Sequence, residues 1–513
     1  MQLTGVAPLA SRLLRPASDA PLRTADDSAQ WRSPWSARSA ASSASEQRRR
    51  LAIGIIAPVF EGSLNSQFPS GMNDGAMWAG RGASVLATAG AVATFGPVSL
   101  QLAPSFTWSQ NTAFALGPLH DAPANASQYA DVWAAARIDR PQRFGDAEIR
   151  RMDAGQSSLR VDYRGFAAGV SNENMWWGPG VDNSLLMSNT AGGFGHVFIG
   201  TGRAHDIRIG KIEALWTVGA LSQSSFWRTA PDTIDRRRWL NALLVVFEPR
   251  GLRGLYLGAG RVFYANERYD PVTGHELLTV FQPFKKEALA TPTNPTADDT
   301  RDQLLSLSAR WVFPESGFEV YGEFGRNDHS WDLRDATLEP DHSRATLIGL
   351  QKAQHLGQGL LVLRAEATNL ALTRTSTIRS SQSWYIHHIV QQGYTERGQL
   401  LGAGIGPGSD MQSFTADWFI PRGRLGLVFA RRRENSDAFY STYKLQSQGY
   451  QDLHDVTTGV GPRVTWFAGP LDIQASILRE HEYNRYTILR NDKLNVHGEL
   501  RLEWHGRGGR PAQ

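Results

Sequence analysis

Histidines next to acidic residues are the side chains whose types and spacing come closest to catalytic or metal-binding chemistry. Asp328-His329 and Asp341-His342 have the form of hydrolase dyads, but neither comes with a recognisable nucleophile. His387-His388 offers two metal ligands, yet adjacent residues of a strand face opposite sides and no spaced His, Asp or Glu partner follows. We therefore predict no catalytic residues, no metal site and no cofactor.

A second group of residues has chemistry suited to sugar binding. Trp176 and Trp177 precede the turn Gly178-Pro179-Gly180, and the apolar face of an indole can stack on the C–H face of a sugar ring. Tyr394 and Arg397 lie in a predicted loop, where a guanidinium could bind an acidic glycan through charge-assisted hydrogen bonds. The alternative for the tryptophan pair is structural: the turn reverses the chain while the indoles anchor it at a membrane interface or pack into a lumen. For these two residues we favour the structural interpretation.

The elements that must position these residues are β-strands with two chemically different faces. From Leu494 to Trp504, apolar residues and glycine at even positions alternate with polar or ionic residues at odd positions. Side chains of a strand alternate between faces, so this segment has one apolar and one ionic face. The same alternation recurs within 159–165, 305–311, 318–324, 361–368 and 471–477.

Several of these segments approach the ~9–11 residues that a tilted strand needs to cross a bilayer. Ionic side chains are too costly against lipid but can line a water-filled lumen. The sequence therefore predicts an all-β fold, a transmembrane antiparallel β-barrel of about 16 to 18 strands with a polar lumen. A soluble sandwich or propeller is disfavoured, because it would place the apolar faces inside.

Composition agrees with a barrel and argues against a nucleic-acid partner. The 513 residues include no cysteine, and the mean hydropathy of −0.34 is too low for a helical membrane protein. The net charge of +4 resides in residues 1–50, which hold eight arginines and four acidic residues, whereas the remainder has 45 basic and 45 acidic residues. A nucleic-acid-binding protein would concentrate its basic excess on a folded surface.

Three segments follow from these patterns. Residues 1–50 are predicted to form a disordered basic arm, because they are rich in Ser, Ala, Arg and Pro and lack periodic apolar residues. Residues 51–505 are predicted to form the barrel, and residues 506–513 a polar tail. No signal peptide is visible, and a wrongly assigned start codon would explain both its absence and the arm.

Two long segments, 265–300 and 378–411, interrupt the strand pattern. Long insertions in a barrel are external loops or segments folded into the lumen as a constriction.

Within the barrel pattern lies the run Asn172-Glu-Asn-Met-Trp-Trp-Gly-Pro-Gly180, followed by Leu185-Leu-Met-Ser-Asn189. Together with Asn73-Asp74-Gly75 and Trp78 upstream, it resembles the Wzi-type capsule assembly family of outer-membrane proteins. The resemblance extends over roughly residues 55–504. It implies a bacterial outer-membrane barrel of about eighteen strands that binds or anchors surface or capsular polysaccharide, as a lectin and not as an enzyme.

The resemblance also implies partners and site residues. The implied partners are surface or capsular polysaccharide, outer-membrane lipid and, during biogenesis, the barrel-assembly machinery. The predicted polysaccharide contacts are Trp176, Trp177, Tyr394 and Arg397. The motif positions with an expected structural role are Gly178, Pro179, Gly180, Asn189, Asn73, Asp74 and Trp78. The arm departs from the family type, because it does not resemble the small helical domain that blocks the periplasmic end.

Two other functions stay open at this point. A porin-like channel for small solutes is the first alternative, because a barrel of 16–18 strands has an open lumen unless something fills it. A barrel hydrolase acting on lipid or surface peptide is the second.

Overall fold

The fold is an antiparallel β-barrel, seen in a computed structural model that describes residues 51–228, 237–267, 274, 276–283, 292, 300–327, 332–443 and 453–505. The predictions for the arm 1–50, for the tail 506–513 and for Asp328-His329 concern residues outside these ranges. The strands are β1 Ala52–Asn65, β2 Gly82–Phe95, β3 Val98–Leu102, β4 Ser105–Ser109, β5 Ile149–Asp153, β6 Ser158–Tyr163, β7 Phe166–Ser171, β8 His196–Thr201, β9 His205–Ile207, β10 Gly210–Ser222, β11 Arg237–Pro249, β12 Leu255–Asn266, β13 Asp302–Phe313, β14 Phe318–Asn327, β15 Arg344–Leu356, β16 Gly359–Asn369, β17 Thr395–Glu396, β18 Gln399–Leu400, β19 Asp410–Ile420, β20 Gly423–Arg433, β21 Val456–Ala468, β22 Leu471–Tyr483 and β23 Lys493–Trp504.

Within the described residues, the helical elements are few and short. They are α1 Leu333–Leu338, α2 Ser436–Tyr443 and single 3-10 segments at Glu276–Phe281, Arg374–Thr377 and Arg485–Thr487. No helix in the described part of the chain has the length and apolar content to cross a membrane.

The barrel closes between its first and last strands, since β23 pairs with β1 from Val59↔Glu503 to Asn65↔His497. Three positions around the barrel each contain two collinear segments, namely β3 with β4, β5 with β6 and β8 with β9. The 21 segments of the sheet therefore make 18 strands, and β17 with β18 forms a separate small hairpin. The predicted closed barrel and its strand number are confirmed.

The faces of the strands follow the period of two in the sequence. In β23, Leu494 and Val496 are 52% and 48% exposed on the outer surface, whereas Asn495 and His497 are 1% and 3% exposed inside. The outer surface of a transmembrane barrel is apolar and its interior is polar. The structure therefore confirms the assignment of the two faces.

The connections differ between the two ends of the barrel. At one end, called here the turn end, strands are joined by short turns such as Gly469-Pro470, where Gly469 has φ +60° and so adopts a conformation that favours glycine. At the other end, called here the loop end, the connections are long, and the longest described ones are 110–148, 172–195 and 370–409.

Two of these long loops fold into the lumen. Trp177, Leu186, Trp384 and Tyr394 are buried in one apolar cluster with lumen-facing residues of β11–β15 such as Leu244. The lumen therefore contains an apolar loop core in addition to its polar side chains. The sequence left open whether 378–411 is an external loop or a segment folded into the lumen, and Trp384 and Tyr394 of this segment lie in the lumen.

The segment 265–300 behaves differently where it is described. Val280 of the 3-10 segment Glu276–Phe281 packs in a cluster with Trp239 and Phe263. The side-chain amide of Asn241 in β11 donates hydrogen bonds to the carbonyls of Glu276 and Leu277, at 2.8 and 3.0 Å. Asn241 lies on the strand face opposite to Leu240 and Ala242, which belong to the lumen cluster. This part of the loop therefore covers the outside of the barrel wall.

Candidate functional site

The tryptophan-rich motif lies in the loop 172–195, and lumen carboxylates hold its backbone. Glu366 of β16 accepts hydrogen bonds from the backbone N–H groups of Val181, Asp182 and Asn183, at 2.7 to 3.1 Å. Glu323 of β14 accepts one from the N–H of Leu185 at 3.2 Å. A carboxylate that receives several backbone N–H bonds fixes a loop, because each bond satisfies a donor that burial would otherwise leave unpaired.

The two tryptophans of the motif have different environments. Trp177 is 2% exposed within the apolar loop core, so neither face of its ring is open to a ligand. Trp176 is half-buried, and its indole N–H donates to the carbonyl of Gly180 at 3.1 Å. These contacts favour the structural interpretation of the pair, and a ligand contact remains a prediction for Trp176.

Tyr394 and Arg397, the other two predicted contacts, also differ in their exposure to solvent. Tyr394 is fully buried and stacks on Tyr385, with ring centroids 5.7 Å apart. Arg397 is exposed, and its guanidinium is 3.2 Å from Glu396 and 3.8 Å from Asp153. Burial raises the pKa of Glu396 to about 7. The structure brings none of these four residues together at one open surface, and the role of Arg397 in binding also stays a prediction.

The upstream motif residues join two loops at the loop end. The side-chain amide of Asn189 donates to the carbonyl of Asn73 at 2.6 Å, and the side-chain amide of Asn73 donates to the carbonyl of Asp182 at 2.9 Å. The backbone N–H of Gly75 donates to the carbonyl of Asn189 at 2.7 Å. Loop 66–81 is therefore tied to the loop that carries the tryptophan pair.

The histidines form local contacts in the described loops. The Nδ1 atom of His387 accepts from the backbone N–H of Val390 at 3.1 Å, and the Nδ1 atom of His388 lies 2.7 Å from the side-chain nitrogen of Gln382. Asp341 accepts from the hydroxyl of Thr375 at 3.2 Å, and the hydrogen bond with Thr373 lowers its pKa. The Asp341 carboxylate is therefore engaged by threonine hydroxyls.

A cavity of about 250 Å³ lies at the loop end, and we call it the loop-end cavity. Loops 66–81, 110–148, 398–405 and 484–492 contribute to its wall, together with residues that flank β20 and β21. Four of its aromatic side chains are half-buried, so solvent reaches their rings: Trp78, Phe114, Trp133 and Tyr486.

The aromatic side chains of the cavity are held by specific contacts. The indole N–H of Trp78 donates to the side-chain oxygen of Asn111 at 3.3 Å, and Trp133 stacks on His120 with ring centroids 4.6 Å apart. The hydroxyl of Tyr486 donates to the carbonyl of Ala115 at 3.1 Å. Fixed rings of this kind offer apolar platforms at a low entropic cost.

Charged groups surround these rings. Three guanidinium groups line the cavity, and each forms an ion pair with a carboxylate: Arg140 with Asp131 at 2.8 Å, Arg432 with Glu434 at 2.5 Å and Arg485 with Glu482. Arg485 also lies over the rings of Phe68 and Tyr486, 4.6 Å from each centroid. Arg485 thus orders part of the aromatic wall as well as a carboxylate.

Two further carboxyl groups line the cavity without a guanidinium of their own. Asp74 is half-buried. Its pKa is raised to about 7, mainly by burial and to a smaller extent by the charges of Glu499 and Glu61. Asp455 is 3% exposed. Its pKa is raised well above the usual range, mainly by burial and to a smaller extent by the charges of Glu482 and Glu434. Among the described residues, carboxyl groups therefore outnumber guanidinium groups in the wall of this cavity.

Sequence reasoning predicted Asp74 and Trp78 only as structural motif residues, and it did not select Trp133, Asp455, Arg485 or Tyr486. These residues come from loops far apart in the sequence, and only the closed barrel brings them together. The alternation of aromatic and charged residues in His481-Glu-Tyr-Asn-Arg-Tyr486 was the available signal.

Comparisons with solved structures show proteins with a similar fold. Escherichia coli Wzi, described as an outer-membrane protein involved in group 1 capsule assembly and as a carbohydrate-binding β-barrel, is 13% identical, with 86% of this chain and 83% of that chain covered and a TM-score of 0.55. Two other solved structures have lower TM-scores. Acinetobacter baumannii OccAB2 is 9% identical, with 87% of this chain and 97% of that chain covered and a TM-score of 0.41. Pseudomonas aeruginosa OccK2 in complex with glucuronate is 9% identical, with 88% of this chain and 97% of that chain covered and a TM-score of 0.41.

A comparison with curated protein sequences gives no match. A family model described as capsule assembly protein Wzi matches residues 66–469, which is most of the chain. The barrel, the loop core built around the tryptophan motif and this match agree with one another, and the chain belongs to the Wzi capsule assembly protein family.

Proposed function

We propose that this chain is a non-enzymatic outer-membrane protein that binds surface or capsular polysaccharide at the loop-end cavity. The observation that carries the proposal is the combination of half-buried aromatic rings with ordered carboxylate and guanidinium groups in one cavity. Sugar rings have apolar C–H faces and polar edges, so they are recognised by stacking on aromatic side chains and by hydrogen bonds to polar groups. Family membership and the fold shared with a carbohydrate-binding barrel support the same function.

The position of the cavity also supports surface binding. Bacterial outer-membrane barrels have short periplasmic turns and longer extracellular loops, so the loop end would face the outside of the cell. A cavity of about 250 Å³ is below the ~300–1,000 Å³ of a typical small-molecule pocket, and it would hold a short part of a polysaccharide. The remaining chain would lie over the surrounding loops.

The loop core supports binding over transport. Apolar side chains of loops 172–195 and 370–409 pack against the lumen wall of β11–β15, where a general diffusion channel would contain water. In this proposal the lumen is a scaffold for the loops.

The test compares two tryptophan variants of the full-length protein purified in detergent. Polysaccharide isolated from the surface of the same bacterium is the ligand, and its affinity is measured by titration calorimetry. Trp133→Ala should weaken binding roughly tenfold, because losing about 1.4 kcal/mol of stacking corresponds to that factor. Trp418→Ala on the outer surface of β19 is the matched control and should bind as the unchanged protein does.

Two results would contradict the proposal. The first is unchanged affinity of the Trp133→Ala protein when the control also binds normally. The second is stable conductance steps in planar bilayers without any polysaccharide binding, which would favour the channel alternative.

A further inference from the structure

We propose that the loop-end cavity selects an uncharged sugar residue of the polysaccharide and that a hydroxyl group of this residue donates a hydrogen bond to Oδ1 of Asp455. This inference rests on the proposed function and specifies the part of the ligand that enters the cavity.

The first observation is an unused acceptor. Asp455 is 3% exposed and lines the cavity, and its Oδ2 atom accepts a hydrogen bond from the backbone N–H of Tyr486 at 2.8 Å. Its Oδ1 atom is also buried, and no donor reaches it from the residues that the structure describes. A buried acceptor without a partner costs free energy, so a ligand that supplies a donor at this position gains affinity.

The second observation is the pairing of the charges. All three guanidinium groups of the cavity already form ion pairs with carboxylates from the same wall, as described above. Asp74 and Asp455 are left over, so the wall has two carboxyl groups in excess. A uronate would find no unpaired guanidinium among the described residues of this wall, and it would lie beside carboxyl groups that resist further negative charge.

The raised pKa values of these two carboxyl groups have the same origin. Burial and the neighbouring carboxylates raise the pKa of Asp455, and burial raises that of Asp74 to about 7. Both shifts mean that further negative charge is unfavourable in this environment. A sugar hydroxyl adds no charge, and it can donate to Oδ1 of Asp455 whether the carboxyl group is ionised or carries its proton on Oδ2.

The third observation is that an aromatic ring belongs to the same wall as this acceptor. Tyr486, whose backbone N–H binds Asp455, also presents its half-buried ring to the cavity. A sugar ring stacked on this tyrosine would bring its hydroxyl edge toward the carboxyl group, because both belong to the same wall. One sugar residue can therefore use the aromatic platform and the free acceptor together.

The experiment uses Asp455→Asn in the full-length protein with polysaccharide from the surface of the same bacterium. In this variant the amide oxygen can keep the bond with the N–H of Tyr486, so an NH₂ group replaces the free acceptor. We expect at least a tenfold loss of affinity. Asp121→Asn is the matched control, because Asp121 is an exposed carboxylate that does not line the cavity, and its affinity should not change.

Unchanged or tighter binding by the Asp455→Asn protein would overturn the proposal, since removing a negative charge favours an acidic ligand. If that variant does not fold, as judged by heat-modifiable gel migration, Asp74→Asn is measured instead. A loss of affinity then supports an uncharged sugar, and an unchanged or higher affinity overturns the proposal.

A second arm uses the same polysaccharide after its uronate groups have been reduced to primary alcohols. We expect equal or tighter binding of the reduced polymer, and a tenfold weaker binding would show that a uronate occupies the cavity. If the unchanged protein binds neither polymer, the proposed function itself fails. Binding of both polymers with the wrong preference rejects only the inference about the sugar class.

Discussion

The carboxylate of Glu323 occupies the space in which residue 178 would carry a side chain. A Cβ atom built on Gly178 would lie 2.1 Å from Oε1 of Glu323 and 2.9 Å from the hydroxyl of Ser184. Glu323 is on the barrel wall and Gly178 belongs to the tryptophan motif of the loop core. This close approach explains why the motif has glycine directly after its two tryptophans.

Gly178→Ala should therefore weaken the loop core. The new methyl group would displace the carboxylate that accepts from the N–H of Leu185, with an expected cost of about 1–3 kcal/mol. Urea unfolding followed by tryptophan fluorescence measures this change. The matched control is Gly195→Ala, because a Cβ atom on Gly195 meets no atom within 4 Å and the change should have little effect. Gly357 is less suitable, because its φ of +60° disfavours any side chain.

Tyr385 connects the two loops that fill the lumen, which leads to a second prediction. Its hydroxyl donates to the carbonyl of Leu185 and accepts from the backbone N–H of Ala403, both at 2.8 Å. Tyr385→Phe would leave both backbone groups without this partner in a buried environment, at a cost of about 1–3 kcal/mol. The unfolding midpoint should fall for this variant.

The matched control for Tyr385→Phe is Tyr483→Phe, because Tyr483 has an exposed ring at the loop end of β22. Equal midpoints for the two variants would show that the hydroxyl of Tyr385 does not stabilise the loop core.

The two faces of β23 provide a third prediction. Leu500 lies on the outer surface, and its neighbour Glu499 accepts from the hydroxyl of Ser476 at 2.8 Å. Leu500→Arg should reduce assembly of the folded barrel, because arginine near the middle of the bilayer costs about 2–4 kcal/mol. Glu499→Gln should be tolerated. The amount of folded barrel is measured by heat-modifiable migration, and equal assembly of both variants would contradict the assignment of faces.

The barrel was predictable from sequence because its strands repeat a local pattern. The alternation of apolar and polar residues around Leu500 is visible within a few consecutive residues. In a strand, alternate side chains point to opposite faces, so this alternation gives an outer and an inner face. The turn at Gly96-Pro97 between β2 and β3 is equally local, because only two residues separate the paired strands.

The loop core and the loop-end cavity were not predictable by the same reasoning. Tyr385 meets Leu185 across 200 residues of sequence, and no periodicity connects such positions. Sequence reasoning favoured a structural role for Trp177 over sugar stacking, and the structure encloses its ring. Conversely, Trp133 and Asp455 have no motif around them, and their chemistry becomes visible only when the loops converge.

The pH dependence of stability provides the last prediction. The carboxyl group of Asp74 has its pKa raised from the usual 3.8 to about 7, chiefly by burial. Between these two values the folded protein keeps a proton that the unfolded chain has lost, so the contribution of Asp74 to the free energy of unfolding falls as the pH rises from about 4 to 7. Above pH 7 the folded protein must hold an ionised carboxylate in an unfavourable environment.

Asp74→Asn removes this titration. Relative to the unchanged protein, the variant should gain stability from pH 5 to about pH 7 and then level off, with urea midpoints measured at intervals of one pH unit. Asp121→Asn, which changes an exposed carboxylate on a neighbouring loop, should give a curve parallel to that of the unchanged protein. If the Asp74→Asn curve is also parallel, Asp74 titrates alike in the folded and unfolded states, and burial does not raise its pKa.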